Sequence, residues 1–196
     1  MEFEDYKRFK WFYTLSGKLV VGGKSANQND ELLRRIKKSK SDFIVMHTSS
    51  PGSPFTIILS DIEKLSESDM EECAIFTGSF SRAWKQGKKK ALVDIFHTSQ
   101  LYKSDSMSVG TWGVKGKISH KNVELILALT KQKGVLRAIP LSSIKNKSSI
   151  IIKIIPGKID KSHFLPKLQI EKEEHLNQDE LLSALPAGGV QILRGK

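Results

Sequence analysis

Apolar and polar positions along the chain change period several times, and each change marks an element. Residues 9–23, FKWFYTLSGKLVVGG, hold two apolar runs around a Ser-Gly turn and predict a pair of strands. Residues 29–38 place Leu32, Leu33 and Ile36 on one helical face, with Asn27 or Asn29 as N-cap and Asp30 and Glu31 in the favourable first turn. DFIVMHT, 42–48, reads as a buried strand, SSPGSP as a loop and FTIIL, 55–59, as the next strand. The longest helical pattern covers 67–86. Ser66 or Ser68 caps it, Met70, Cys73, Phe80 and Trp84 recur at helical spacing, and Lys85 and Gly87 supply its cationic end and its stop.

ALVDIF, 91–96, returns to strand, and SVGTWGVKGKI, 108–118, alternates with glycines as a twisted or bulged strand does. Further strands are predicted near 123–129, 135–139 and 149–155. Pro156-Gly157 then marks a boundary, and Asn177-Gln178-Asp179-Glu180 forms a capping box ahead of Leu181-Leu182. Hairpins dominate this order. It predicts an α+β fold: a mostly antiparallel mixed sheet, two main helices packed on one face of it, and a C-terminal helical appendage. The predicted units are a domain over 1–157 and an extension over 158–196. No internal repeat is visible.

Charge changes the picture most. Residues 73–159 carry 16 Lys+Arg against 3 Asp+Glu, a net +13, whereas 1–72 carry 11 against 12 and 160–196 carry 5 against 6. A segregated excess of this kind is the electrostatic footprint of a polyanion partner. No basic amphipathic helix with an aromatic face stands out, and no run approaches the roughly 18 apolar residues of a membrane span, so no membrane partner is expected. The N-terminus, MEFEDYKRFK, is charged and lacks the apolar core of a signal peptide. The single cysteine, Cys73, excludes an internal disulfide framework and reads as a core residue, and a cytoplasmic location is expected.

Gly23-Lys24-Ser25 ends like a phosphate-binding loop, but its first glycine would have to stand at Lys18, and the spacer Leu19-Val20-Val21-Gly22 is strand-like. The double glycine is better read as a turn out of a strand. His47 ends an apolar strand ahead of a Ser/Gly/Pro loop, a place where catalytic groups often sit. With Asn29 and Ser53 it is the weak catalytic candidate, against a buried histidine bonded to that loop. No G-x-S-x-G elbow exists and no orienting carboxylate can be assigned. The remaining histidines have no metal-ligand spacing, so neither a metal site nor a cofactor is expected.

For nucleic-acid contact the candidates are Arg82, Lys85, Lys88, Lys89 and Lys90, which also fit a solvated helix end. Lys115, Lys117 and Lys121 flank glycines that would let a phosphate backbone approach. Trp112 is the candidate for base stacking.

Four motifs, in order, resemble the NFACT-R domain family. They are FKWFYTLSGKLVVGG with Trp11 leading through Gly23 to Asn29; His47 followed by Gly52, Ser53 and Pro54; AIFTGSFSRAWKQG with Ser81 and Trp84; and GTWGVKGK with Lys115, Gly116 and Lys117. Ser25 stands where the family usually has Asp. The resemblance covers about residues 5–155. That family occurs at the C-terminal end of NFACT proteins of ribosome-associated quality control and as small stand-alone proteins. The resemblance implies an RNA-binding module directed to ribosomal RNA or tRNA, without the activity that needs the family's further domains. Two rivals stay open: an RNA-modifying or RNA-processing enzyme using a pocket around His47, and a subunit that docks the ribosome or another protein through its tail, LLSALPAGGVQIL.

Overall fold

Trp11-Phe12, Val20-Val21, Val45-Met46 and Ile57-Ile58 are adjacent apolar pairs, and a strand sends adjacent side chains to opposite faces. Such pairs can both be buried only if both faces of the sheet are covered. The computed structural model describes residues 3–39, 41–160, 162–164 and 177–193, and all eight of these side chains are buried in it.

The first sheet contains β1 (Lys10–Tyr13), β2 (Leu19–Gly22), β3 (Ile44–Thr48), β4 (Thr56–Ile58), β5 (Lys90–His97) and, across the sequence from β5, the strand Ser119–Glu124. Between them lie β6 (Leu101–Tyr102) and β7 (Gly113–Val114), which pair with each other, so Ser119–Glu124 is β8. The order is β1-β2-β4-β3-β5-β8, antiparallel throughout. A second antiparallel sheet holds β9 (Leu127–Gln132), β10 (Val135–Pro140), β11 (Ile152–Ile159) and β12 (Val190–Ile192) in the order β10-β9-β11-β12. The antiparallel α+β architecture therefore stands, with its strands divided between sheets.

The helices do not share one face. Helix α1 (Ala26–Lys38) buries Leu32, Leu33 and Ile36 with Trp11, Val21, Val45, Ile57 and Phe96. Helix α2 (Glu67–Ser79) buries Cys73, Ala74 and Phe76 with Phe12, Val20, Ile44, Met46, Ile58 and Val93, and the second sheet closes over the same core through Leu127, Leu129 and Ile154. Ser25, rather than Asn27 or Asn29, caps α1 by accepting from Gln28 N at 3.2 Å. The predicted helix over 67–86 is two helices, α2 and α3 (Arg82–Lys85). Ser81 causes the break: its hydroxyl donates to Gly78 O at 2.6 Å and accepts from Ala83 N at 3.1 Å, which ends one helix and caps the next.

The predicted strand over 108–118 shrinks to β7. Gly110 takes φ +80° where a Cβ would meet Ala26, and at Gly113 a Cβ would strike the Tyr102 ring, so these glycines mark close approaches. The predicted strand over 123–129 breaks at Leu125–Ile126, where the chain crosses from the first sheet to the second. Strand β11 runs through Pro156 and Gly157, with a register shift between Pro156 and Ile159 as it pairs with β12. Helix α4 (Gln178–Ala184) is capped by Asn177, and Leu181, Ala184, Leu185 and Val190 are buried in the α2-side core. The indole N–H of Trp84, itself buried, donates to Gly189 O at 3.0 Å. Residues 165–176 of the expected appendage lie outside the described residues.

Two buried carboxylates tie the first hairpin to α2. Asp69 accepts from the hydroxyls of Thr14 and Ser16 at 2.6 Å and, through its other oxygen, from Ser66 N at 2.9 Å and Ser66 Oγ at 2.7 Å. Glu72 accepts from Leu15 N at 2.9 Å, Ser143 Oγ at 2.8 Å and Ser68 Oγ at 2.9 Å. Burial by itself pushes the Asp69 carboxyl up, but the hydroxyls of Ser16, Thr14 and Ser66 outweigh it and hold the group at about 2. A depressed carboxyl adds stability that is fully present above about pH 4 and is lost as pH falls toward 2. Urea unfolding should therefore show an acid-linked loss in that window that is missing in Asp69→Asn. Asp69→Ala, which removes the acceptor of four donors, the buried Thr14 hydroxyl among them, should cost about 2 kcal/mol at neutral pH.

Candidate nucleic-acid interface

A cleft of about 660 Å³ opens at one end of the first sheet. Its floor is the α1 face of β3 and β5, with His47, Asp94 and Phe96; its walls are the start of α1, the loop 49–54 and the loop 109–112. His47, Asn29 and Ser53 all line it, as do Gly23 and Gly52.

Each of the three candidate residues is engaged with backbone. The Nδ1–H of His47 donates to Thr48 O at 2.7 Å, and its ring packs on Phe55 with centroids 4.4 Å apart. Burial pushes the His47 pKa down, which favours the neutral ring. Ser53 Oγ accepts from Thr48 N at 2.9 Å, and Asn29 Oδ1 accepts from Phe55 N at 3.2 Å. A Cβ at Gly23 would lie 2.2 Å from Asn29 Oδ1, so glycine there lets α1 pin the entry to β4. Gly52, at φ +102°, lies against the Arg82 side chain and accepts from Arg82 N at 2.8 Å. Gly23, Asn29, His47, Gly52 and Ser53 thus meet at one cleft, whereas Trp11, Ser81, Trp84 and Gly116 do not line it.

Sequence reasoning missed a second set of groups. His47 faces Asp94, and Asp94 faces His120, in the register of β3, β5 and β8, so the three stand in a row on one face. Asp94 Oδ1 accepts from His120 Nδ1 at 2.7 Å and from Ser49 Oγ. The available signal was Asp94 itself, one of only 3 acidic residues in the basic segment and set inside an apolar strand.

The nine nucleic-acid candidates do not share one surface. Arg82, Lys88 and Lys90 line a second cleft of about 410 Å³ with Pro51 and Leu92, beside the first. Leu92 is 47% exposed, because α1 does not reach this end of the sheet. Lys85 and Lys89 are exposed near it in sequence. Lys90 also pairs with Glu124 at 3.4 Å. Lys115 and Lys117 are exposed on a turn whose carbonyls accept from Gln100 Nε2 at 2.9 and 2.8 Å, and Lys115 Nζ lies 5.0 Å from the Tyr102 ring centre. Gly116 forms that turn at φ +80°. Lys121 points the opposite way, to Glu67 and Glu71 of α2 at 3.3 and 3.4 Å. Trp112 lines the first cleft, half-buried, whereas Trp11 and Trp84 are core residues.

Asp30 holds the wall formed by residues 103–112. It accepts from Trp112 Nε1 at 2.7 Å, Gly110 N at 3.0 Å and Lys103 Nζ at 3.2 Å. Burial pushes its carboxyl up, and the Trp112, Lys103 and Gly110 hydrogen bonds outweigh that and hold it below its ordinary value.

Residues 8–116 match the family described as NFACT protein RNA binding domain. The chain is 26% identical, over 199 residues, to the archaeal Rqc2 homologue aRqcH of Methanocaldococcus jannaschii, covering 96% of this chain and 29% of that protein. Its fold resembles the C-terminal part of the fibronectin/fibrinogen-binding protein of Streptococcus suis, with a TM-score of 0.50 and 20% identity over 59% of this chain and 44% of that one. The chain therefore spans less than half the length of either relative.

Replacing Asp30 with Ala should release the 103–112 wall. Amide exchange over 105–112 is expected to quicken at least about ten-fold, consistent with the loss of charge-assisted bonds of roughly 1.5–3 kcal/mol each. Exchange in α2 should be unchanged.

Proposed function

The chain belongs to the family of NFACT protein RNA binding domains, and on that premise we propose that it binds RNA through the uncovered β5–β8 end of its first sheet. The observation that carries this reading is the cleft lined by Arg82, Lys88 and Lys90, with the exposed Leu92 at its base, in a segment with 16 basic and 3 acidic residues. Cations there reach phosphate oxygens, and the open sheet face and the adjoining cleft offer flat surfaces to bases. Ribosomal RNA or tRNA is the proposed target, in translation or ribosome-associated quality control. Likeness to an archaeal Rqc2 homologue supports that choice. The cytoplasm, where such RNAs are used, is the proposed location.

Two observations favour RNA binding over the rivals. His47, Asn29 and Ser53 are each tied to backbone, His47 to that of Thr48 and Ser53, and no hydrogen bond joins the side chains of any two of them. The apolar tail residues Leu181, Ala184, Leu185 and Val190 are buried in the chain's own core.

Affinity for a ribosomal RNA or tRNA fragment should fall steeply with salt, by about three decades between 50 and 200 mM for six phosphate contacts. Changing Lys88 and Lys89 to Gln should lower the log–log salt slope by about 2 and weaken all sequences about equally. Lys121→Gln should change it little, because Glu67 and Glu71 already hold that charge. A flat salt response in filter binding or fluorescence anisotropy would refute the reading.

A further inference from the structure

The first cleft sorts charge along its length. At its rim stands Lys24, which makes no ion pair with the described residues. Burial lowers the Lys24 pKa, and so does the charge of Arg137, whose Nε donates to Trp11 O at 3.1 Å and whose guanidinium lies over the Trp11 ring at 4.8 Å. Arg137 is 7% exposed and also has no carboxylate partner among the described residues. Arg137 does not itself line the cleft, but a cation at the rim that a buried neighbouring cation repels gains from an arriving anion. At the floor the sign reverses. Asp94 uses Oδ1 for Ser49 and His120, and its Oδ2 accepts no hydrogen bond from the described residues. The apolar and aromatic part of the lining is Phe96 beside Asp94 on the floor, with Phe55, Trp112 and Val109, the last 58% exposed.

The cleft volume of about 660 Å³ falls within the roughly 300–1,000 Å³ range of small-ligand sites. An anion end, a flat apolar body and a hydrogen-bond donor at the far end together describe a nucleotide. We propose that this cleft takes one unpaired nucleotide of the bound RNA, with its phosphate at Lys24 and the exocyclic amino group of its base donated to Asp94 Oδ2. Adenine, cytosine and guanine carry such a group; uracil has none, and offers a single ring N3–H flanked by two carbonyls that the carboxylate repels. The inference rests on the RNA-binding reading and adds base preference to it.

The test uses the full chain and the four nucleoside 5′-monophosphates, followed by the Trp112 indole and His47 ring resonances in NMR titrations. AMP, CMP and GMP are expected to shift both and to bind about five-fold or more tighter than UMP, the discrimination that one mismatched buried acceptor gives. Asp94→Asn keeps an oxygen for Ser49 and His120 and presents an amide to the base. That variant, confirmed folded by its unchanged α2 amide spectrum, should lose the preference and gain affinity for UMP. Equal binding of all four, or no shift with any, overturns the nucleotide site. If RNA fragments still bind with a steep salt slope in that case, the RNA-binding reading survives. Discrimination among monophosphates with no RNA-fragment binding would keep the site and overturn the broader reading.

Discussion

The first sheet has to be covered twice. Trp11-Phe12, Val20-Val21 and Ile57-Ile58 leave no polar face on β1, β2 or β4, so α1 must lie on one side and α2 with the second sheet on the other. A helix of 13 residues is about 20 Å long, too short to screen six strands spaced about 4.8 Å apart together with their ends. The α1 cover reaches Phe96 but stops short of the Lys90 end of β5 and of β8. On that side the pairs Lys90–Glu124, Leu92–Asn122 and Asp94–His120 are left facing outward. The two clefts lie at this margin, and the loop 103–112, moored to α1 by Asp30, forms a wall of the first one. The site is thus a consequence of coverage: strands buried on both faces make the scaffold, and the strands covered once supply the surface.

That division was half legible in the sequence. Continuous apolar runs announced buried strands, and Leu32, Leu33 and Ile36 announced the α1 stripe. Which helix took which face was not announced, because a doubly buried strand shows no alternation to orient it. The break at Ser81 was hidden for a related reason: Phe80 and Trp84 both pack into the α2-side core, so helical spacing continues across the interruption. The signal there was a serine whose hydroxyl competes for backbone partners. In 108–118 the glycines were read as strand twist, but they mark places where Ala26 and Tyr102 leave no room for a Cβ. At the site, His47 near the end of β3 and Gly52 and Ser53 in the loop after it are close in sequence, and their meeting in the first cleft was legible. Asp94 and His120 were not, because their meeting depends on the register of strands far apart in sequence.

Regional charge located the basic surface only coarsely, and the ion pairs show why. The central segment's excess of +13 counts every lysine alike. Acidic residues outside the segment answer some of them: Glu67 and Glu71 hold Lys121, and Asp30 holds Lys103. These pairs lie toward α2 and α1, on the covered sides. Arg82, Lys88 and Lys89 make no ion pair with the described residues and cluster where the sheet is uncovered. At physiological salt a charge is felt over about 8 Å, so lysines on the α2 side add little to the field at the clefts. Neutralising the far side leaves a field with a direction, and a directed field draws a polyanion to one face and sets its approach. The same reasoning gives Asp94 its interest. A carboxylate at the floor of this cleft opposes phosphate there, and by accepting from Ser49 and His120 it ties β5 to the 49–54 loop and to β8.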